Sequence, residues 1–255
     1  MIQAVCPVVS RETVGPEIHV LKFHSPELCS TVKPGQFVNI KISDSFYPLL
    51  RRPFSVYHVH HETAEVIFSV VGIGTEILAA KRVGDMVDLI GPLGSSFTLE
   101  GHYETAILVA GGLGVASLPL LTQSIRGKRS IASFLGARSK DHLIPTHLEN
   151  LFVATDDGSA GYHGTVVDLL RDELGKKRFT RPKIFACGPV GMLDSVNGIA
   201  RDLDVPCEIS LESAMACGFG ICQGCPIERS DHQKKYSLVC KEGPVFDSRS
   251  VRLRK

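Results

Sequence analysis

The chain has 255 residues, 44% of them apolar, enough to bury one large core or two modest ones. Lys and Arg together number 28 against 27 for Asp and Glu, so there is no strong field to hold a polyanion, which argues against a nucleic-acid partner. The N-terminus, MIQAVCPVVSRETVG, lacks a basic flank leading into an apolar run, so no signal peptide is expected, and the eight cysteines are expected to be ligands or buried thiols of a cytoplasmic protein.

In chain order, residues 1–100 carry short β-rich runs: EIHVLKF (17–23), QFVNIKI (36–42), AEVIFSVV (64–71) and MVDLIG (86–91). Turn signals separate them at KPG (33–35), VGD (83–85) and GPLG (91–94). This rhythm predicts a small antiparallel β-barrel. Within it, RRPFS (51–55) joins a cation, a fixed proline turn and a hydroxyl, a clamp suited to a phosphate and an adjoining ring system. VVGIGTEILAA (70–80) predicts a helix opened by Gly72, Gly74 and Thr75, whose first amides suit an anion. Two phosphate-suited elements in one barrel point to a dinucleotide. The histidines of HVHH (58–61) read as structural or solvated, because strand alternation puts two on one face with no acidic or thiol partner expected nearby.

After Tyr103 strands and helices alternate: TAILVAG, a helix from about 115, SIASFLGA, LFVATDDG, a helix near 164–174, KIFACGP and a helix near 190–203. That alternation predicts an α/β domain over residues 101–208 with a parallel, nucleotide-binding sheet. The uncharged run 105–125 has the ~20-residue length of a membrane span. Its central glycines, Pro119 and Gln123 instead predict a strand, a tight turn and a helix. AGGLGVAS (110–117) stands where a phosphate-binding loop would stand, and TDDGSAGYHGTV (155–166) and CGP (187–189) fall at the ends of two more strands, where ligands of open sheets bind. Asp156 and Asp157 read equally as ribose contacts or turn formers. Arg138 and Lys140 read as a solvated strand end, with contact to a 2'-phosphate as the other reading.

The third segment, 209–255, contains Cys217-x4-Cys222-x2-Cys225 and a distant Cys240, the plant-type spacing for a 2Fe-2S cluster. Gly218, Gly220 and Gly224 would let the loop curl until its amides reach the cluster's sulfides. Four thiolates would also satisfy a structural zinc, although zinc knuckles favour two C-x2-C pairs and only one is present. Cys6, Cys29, Cys187 and Cys207 are expected to be buried, and the closing SRSVRLRK reads as a solvated basic tail.

RRPFS, GIGT, GPLG, AGGLG, TDDGSxGxxG, CGP and ESAMACGFGICQGC occur here in the order found in the electron-transfer subunits of type B dihydroorotate dehydrogenase, of the ferredoxin reductase superfamily, which the chain resembles over essentially its whole length. The resemblance implies an FAD-binding barrel (1–100), an NAD-binding α/β domain (101–208) and a 2Fe-2S segment (209–255). Carried over by motif, Arg52, Pro53, Phe54 and Ser55 would hold the flavin and its diphosphate, with Ile67, Phe68 and Ser69 on the neighbouring strand and Gly74 and Thr75 at the helix start. Gly111, Gly112 and Gly114 would face the NAD diphosphate, Cys187 and Gly188 would lie near the nicotinamide, and Cys217, Cys222, Cys225 and Cys240 would hold the cluster. The sequence departs from the family pattern in two places, with Ser69 where an Arg often stands and Ser117 where a Pro does.

The implied activity is NAD-linked electron transfer in pyrimidine biosynthesis with no catalytic acid or base on this chain. A separate FMN-bearing catalytic subunit would oxidise dihydroorotate, in a heterotetramer of two copies of each chain. The alternatives are a subunit with the same cofactors in a ferredoxin-NADP transhydrogenase or hydrogenase-linked complex, and a zinc-bearing nucleotide-binding protein.

Overall fold

The computed structural model describes residues 1–45, 47–231 and 234–253. Six strands, β1 (Ile2–Gly15), β2 (Ile18–His24), β3 (Phe37–Lys41), β4 (Arg52–His60), β5 (Thr63–Ser69) and β6 (Met86–Leu93), close an antiparallel barrel in the order β1-β2-β5-β4-β3-β6. Their side chains alternate, so that in β6 Val87 and Leu89 point into the barrel core between more exposed neighbours. Short helices α1 (Pro26–Thr31) and α2 (Ile73–Ala79) lie between strands.

A seven-stranded sheet follows. Six of its strands, β7 (Thr105–Gly111), β8 (Ser130–Ala137), β9 (Leu151–Thr155), β10 (Tyr162–His163), β11 (Pro182–Cys187) and β12 (Cys207–Ser210), are parallel, in the order β10-β9-β8-β7-β11-β12. The remaining helices are α3 (Pro119–Ile125), α4 (Val166–Gly175) and α5 (Val190–Asp202). Strand β7 is buried along almost its whole length because both faces of the sheet are covered. Ile107 and Val109 pack toward α4 and α5, while Ala106, Leu108 and Ala110 pack toward α3. On the α3 side Leu118 and Leu121 share one core with Ile18, Tyr57 and Ile67 of the barrel. Each buried leucine is worth about 1.5–3 kcal/mol, so this seam fixes barrel and sheet side by side.

The last segment forms a small hairpin, β13 (Pro226–Glu228) and β14 (Tyr236–Leu238), then β15 (Val245–Asp247), which adds the seventh, antiparallel strand beside β12. Cys225, Val239, Cys240 and Phe246 are buried in the sheet's own core. The cysteine segment is therefore an extension of the α/β layer.

Several local expectations change. The 14-residue β1 escaped the pattern because Val5 and Val9 face solvent and Pro7 interrupts the run, which hides the inward alternation of Cys6 and Val8. RRPFS does not end in a turn, since Arg52 opens β4 and Pro53 sits at its start opposite Asn39. The helix expected from about 115 is a 3-10 turn over Gly112–Ser117, with α3 starting at Pro119, a residue suited to a first helical position. The basic tail is tied down: Val251 is buried and bridges to Arg229, Arg249 pairs with Asp204 at 2.8 Å, and Arg252 pairs with Glu228 at 3.5 Å. Arg254 and Lys255 lie outside the described residues.

The absence of an acidic partner for the HVHH histidines is also corrected. Glu65 lies directly across the β4–β5 ladder from His58, and His147 arrives from the far loop to stack on the His58 ring. Burial pushes the His58 imidazole below its ordinary pKa, and the His147 ring adds to the effect. Among the described residues no helix is long and apolar enough to cross a membrane.

Candidate cofactor clefts and cysteine loop

The first cleft, about 480 Å³, opens between the barrel and the sheet and is walled by Pro53, Ser55, Ser69 and Thr75 from the barrel side. The two arginines of RRPFS have separate jobs. Arg51 is committed to Asp88 by a two-pronged ion pair at 2.9 Å and 2.9 Å. Arg52 donates only to carbonyls, at 2.7 Å to Leu50, and no carboxylate pairs with it among the described residues. Its guanidinium Nε lies 3.5 Å from where a Cβ on Gly74 would be, so glycine lets the cation approach the first turn of α2. The Thr75 and Glu76 amides close on the Gly72 carbonyl, so Ile73 and Gly74 supply the first-turn donors that, together with the cation, suit a diphosphate.

Thr75 has a structural role as well as a place in the wall. Its hydroxyl accepts from the Val71 amide at 2.9 Å and donates to the Gly72 carbonyl at 2.9 Å, closing the loop before α2. Phe54 and Phe68 pack in the barrel core with ring centroids 5.6 Å apart, and Ile67 packs in the seam with the sheet. All three also line the cleft, on the strands that present Ser55 and Ser69.

The second cleft, about 800 Å³, lies at the carboxyl ends of the parallel strands, where Gly111, Gly112, Gly114 and Gly188 line it. Gly112 has φ +54 and nothing within 4 Å of where a Cβ would stand, so it leaves open space for a ligand. Gly114 is a packing glycine, because a Cβ there would fall 2.2 Å from the Cys187 carbonyl oxygen. The two acids of TDDG separate: Asp156 lines the cleft, whereas Asp157 accepts from the Ser159 amide at 2.9 Å and hydroxyl at 2.6 Å, which lowers its pKa and makes it a turn former. Arg138 lines the cleft too, while the Lys140 amide donates to Ser159 Oγ at 2.8 Å.

The clefts meet at Cys187 and Glu212. Cys187 walls the first and Gly188 the second. Burial pushes the Cys187 thiol up to about 12, with the charge of Glu212 adding to the rise, so it stays neutral. Glu212 lines both clefts, and its carboxyl is pushed above its ordinary value by desolvation. Solvent still reaches its side chain through the open clefts, but protein crowds it on the remaining sides. Sequence reasoning missed Glu212. The available signal was its position two residues past the end of β12, at the carboxyl edge of the sheet.

From Glu212 the chain runs past Met215, which still walls the first cleft, into the cysteine loop. Gly218 (φ +81) and Gly220 (φ +92) turn the loop, and a Cβ on Gly218 would strike the Asn39 side chain at 2.5 Å. Asn39 donates from Nδ2 to the Cys217 carbonyl at 2.9 Å, anchoring the loop to barrel strand β3. Amides point at sulfur: Cys222 N–H at Cys217 Sγ (3.5 Å), Gly224 N–H at Cys222 Sγ (3.4 Å) and Cys240 N–H at Cys225 Sγ (3.4 Å).

These contacts tie the thiols into two neighbouring sets, Cys217 with Cys222 and Cys225 with Cys240. Among the described residues no three of them bring their sulfurs within 4.8 Å of one another. A single tetrahedral zinc would need all four about 3.8 Å apart, from its Zn–S bond length. Two pairs suit two irons instead. The Cys217 thiol is opposed by desolvation, yet the Cys222 and Phe219 amides bring it down to about 6. Burial and the Cys225 thiol push Cys240 up to about 12. Cys225 and Cys240 are each 2% exposed while Cys222 is open to solvent, so the loop has an inner and an outer pair.

Residues 212–252 match the family model for the iron-sulfur cluster binding domain of dihydroorotate dehydrogenase B. The chain is 36% identical over 247 residues to the electron transfer subunit of dihydroorotate dehydrogenase B (NAD(+)) from Desulforamulus reducens, covering 93% of this chain and 94% of that protein. The same subunit from Bacillus pumilus is 34% identical, with 99% of each chain covered. Among solved structures, that of an NADH-dependent reduced ferredoxin-NADP oxidoreductase superposes with a TM-score of 0.86 at 30% identity, over 98% of this chain and 90% of that one. Phthalate dioxygenase reductase shares the fold, with a TM-score of 0.64 at 14% identity over 93% of this chain and 94% of that one. The chain belongs to the family of electron transfer subunits of dihydroorotate dehydrogenase B (NAD(+)).

Proposed function

We propose that the chain binds FAD in the first cleft, NAD in the second and a 2Fe-2S cluster on Cys217, Cys222, Cys225 and Cys240, and transfers electrons between NAD and an FMN-bearing catalytic dihydroorotate dehydrogenase subunit in pyrimidine biosynthesis. The observation that supports this reading best is the continuity of one short segment. From Ser210 to Met215 it walls the first cleft, at Glu212 it touches the second, and two residues later it becomes the cysteine loop.

When bound, FAD supplies hydride exchange with NAD and single-electron exchange with the cluster. This chain's residues bind and orient. Arg52 and the first turn of α2 would hold the flavin diphosphate, with Pro53, Ser55 and Ser69 beside the ring system. Gly112 would admit the NAD diphosphate, and Gly111, Gly114 and Gly188 would keep the cleft floor thin. Cys187 and Glu212 would border the place where the two rings meet, one a neutral thiol and the other a carboxyl with a raised pKa. Met215 would exclude water between the flavin and the cysteine loop.

The outer face of that loop exposes Ile221 (75%) and Phe219 (37%) beside Cys222, an apolar face suited to a catalytic subunit. Two copies of each chain in a cytoplasmic heterotetramer complete the reading.

The test combines the flavin- and cluster-loaded chain anaerobically with the catalytic subunit and follows NADH absorbance after dihydroorotate is added. NADH formation that requires both chains is the expected result. A chain that ignores the catalytic subunit but couples NADH to ferredoxin would move the assignment to the transhydrogenase alternative, which the likeness to the ferredoxin-NADP oxidoreductase favours.

A further inference from the structure

Away from both clefts, a row of polar side chains crosses the outside of the barrel. Lys22 on β2 faces Glu65 on β5, and Glu65 faces His58 on β4, each pair in direct cross-strand register. Glu65 is 5% exposed. Lys22 Nζ holds its Oε1 at 2.7 Å, which orients the carboxylate and leaves Oε2 turned toward His147 Nε2, 4.0 Å away. The His147 ring stacks on His58 with centroids 3.9 Å apart and planes 5° from parallel. His58 Nδ1 is buried without a hydrogen-bond partner. A buried ring nitrogen without a partner costs free energy unless something occupies it.

His147 belongs to the other layer, in the loop before β9. That loop is held to the barrel by a contact outside the histidines: Tyr57 Oη on β4 donates to the Thr146 carbonyl at 3.4 Å. One nitrogen from each ring and one oxygen of Glu65 lie within 4.8 Å of one another.

We propose that His58, Glu65 and His147 form a binding site for a first-row divalent metal, Zn²⁺ by preference, that bridges the barrel and the α/β layer. Two imidazoles and a carboxylate are a donor set suited to zinc. Bonds of about 2.0–2.2 Å lie in the plane of each imidazole, so the parallel stack must open: the partly exposed His147 ring tilts off the His58 face as the three donor atoms draw together by roughly an ångström. Water fills the fourth position from the same side. Lys22 acts as the outer partner that fixes Glu65, and its charge weakens cation binding, so the site loads and unloads with free metal instead of holding it permanently.

The test uses chain already loaded with flavin and cluster, so that the cysteines are occupied, and titrates Zn²⁺ by calorimetry with X-ray absorption at the zinc edge. One ion per chain with a nitrogen and oxygen shell free of sulfur is expected. His147→Asn keeps a residue that tolerates the φ of +63 at this position, and Glu65→Gln removes the carboxylate charge. Each should weaken binding by at least about tenfold, since even outer-shell changes at metal sites cost that much. His102→Ala, on an exposed loop elsewhere, should leave it unchanged. Absent binding, a sulfur shell, or equal affinity in wild type and His147→Asn would overturn the proposal.

Discussion

The barrel-and-sheet frame and the cysteine segment build their sites by opposite means. In the frame, strand register places Ser55, Ser69 and the glycine loops, and cores of Leu, Val and Phe hold them in position. Past the end of β12 only nine of the described residues lie in named strands, three in each of β13, β14 and β15, and the cysteine loop hangs on a few anchors such as Asn39. A frame that packs can bind and release a mobile nucleotide. A loop with little secondary structure of its own needs its metal ligands to define it, which suits a cofactor that stays in place.

The sharpest break between the two regions is Cys225→Ser. It should remove the cluster entirely, read as loss of iron and sulfide, while NADH still bleaches the bound flavin at close to the wild-type rate. Simultaneous loss of flavin reduction would mean that the segment and the frame are not separable.

Within the frame, Arg52→Ala should weaken FAD binding by roughly 10- to 150-fold, the equivalent of losing about 1.5–3 kcal/mol of hydrogen bonding to a charged group. Arg51→Ala, which breaks the Asp88 pair, should lower thermal stability and leave FAD affinity near wild type. Fluorescence titration of flavin-free protein separates the two.

Gly114→Ala places a Cβ against backbone that cannot move aside, so it should cost about 3 kcal/mol, the upper end of overpacking, and lower Tm by on the order of 6–12 °C. Calorimetric melting of the loaded protein measures it.

Glu212→Gln should have the smallest effect, a slowing of NADH-driven flavin reduction by about tenfold or less, the equivalent of the roughly 0.5–1.5 kcal/mol of one hydrogen bond. A carboxyl with a raised pKa keeps its proton as pH rises past the ordinary carboxylate range and ionises only above it. The wild-type rate should therefore carry a pH step above that range, and the glutamine variant should lack it. Stopped-flow traces across pH decide this.

The sequence made much of this legible, for physical reasons. The runs at β5 to β8 announce themselves through period-two alternation or continuous apolar character, and the cysteine spacing carries its chemistry openly. β1 was hidden because Val5 and Val9 face out and Pro7 interrupts it. Glu212 is a lone acid whose meaning comes from two clefts that converge only in three dimensions. The His58–Glu65–His147 cluster joins a hairpin to a loop more than eighty residues away, beyond any local pattern. Of the three glycines in AGGLG, spacing alone could not tell which leaves room for a ligand and which packs.

The most direct test of the account is an anaerobic visible and electron paramagnetic resonance titration of the purified chain with NADH, alongside iron, sulfide and flavin analysis. The account predicts one flavin, two irons and two sulfides per chain, bleaching of the flavin, and the resonance of a reduced 2Fe-2S cluster. A colourless, zinc-containing protein unchanged by NADH would contradict it.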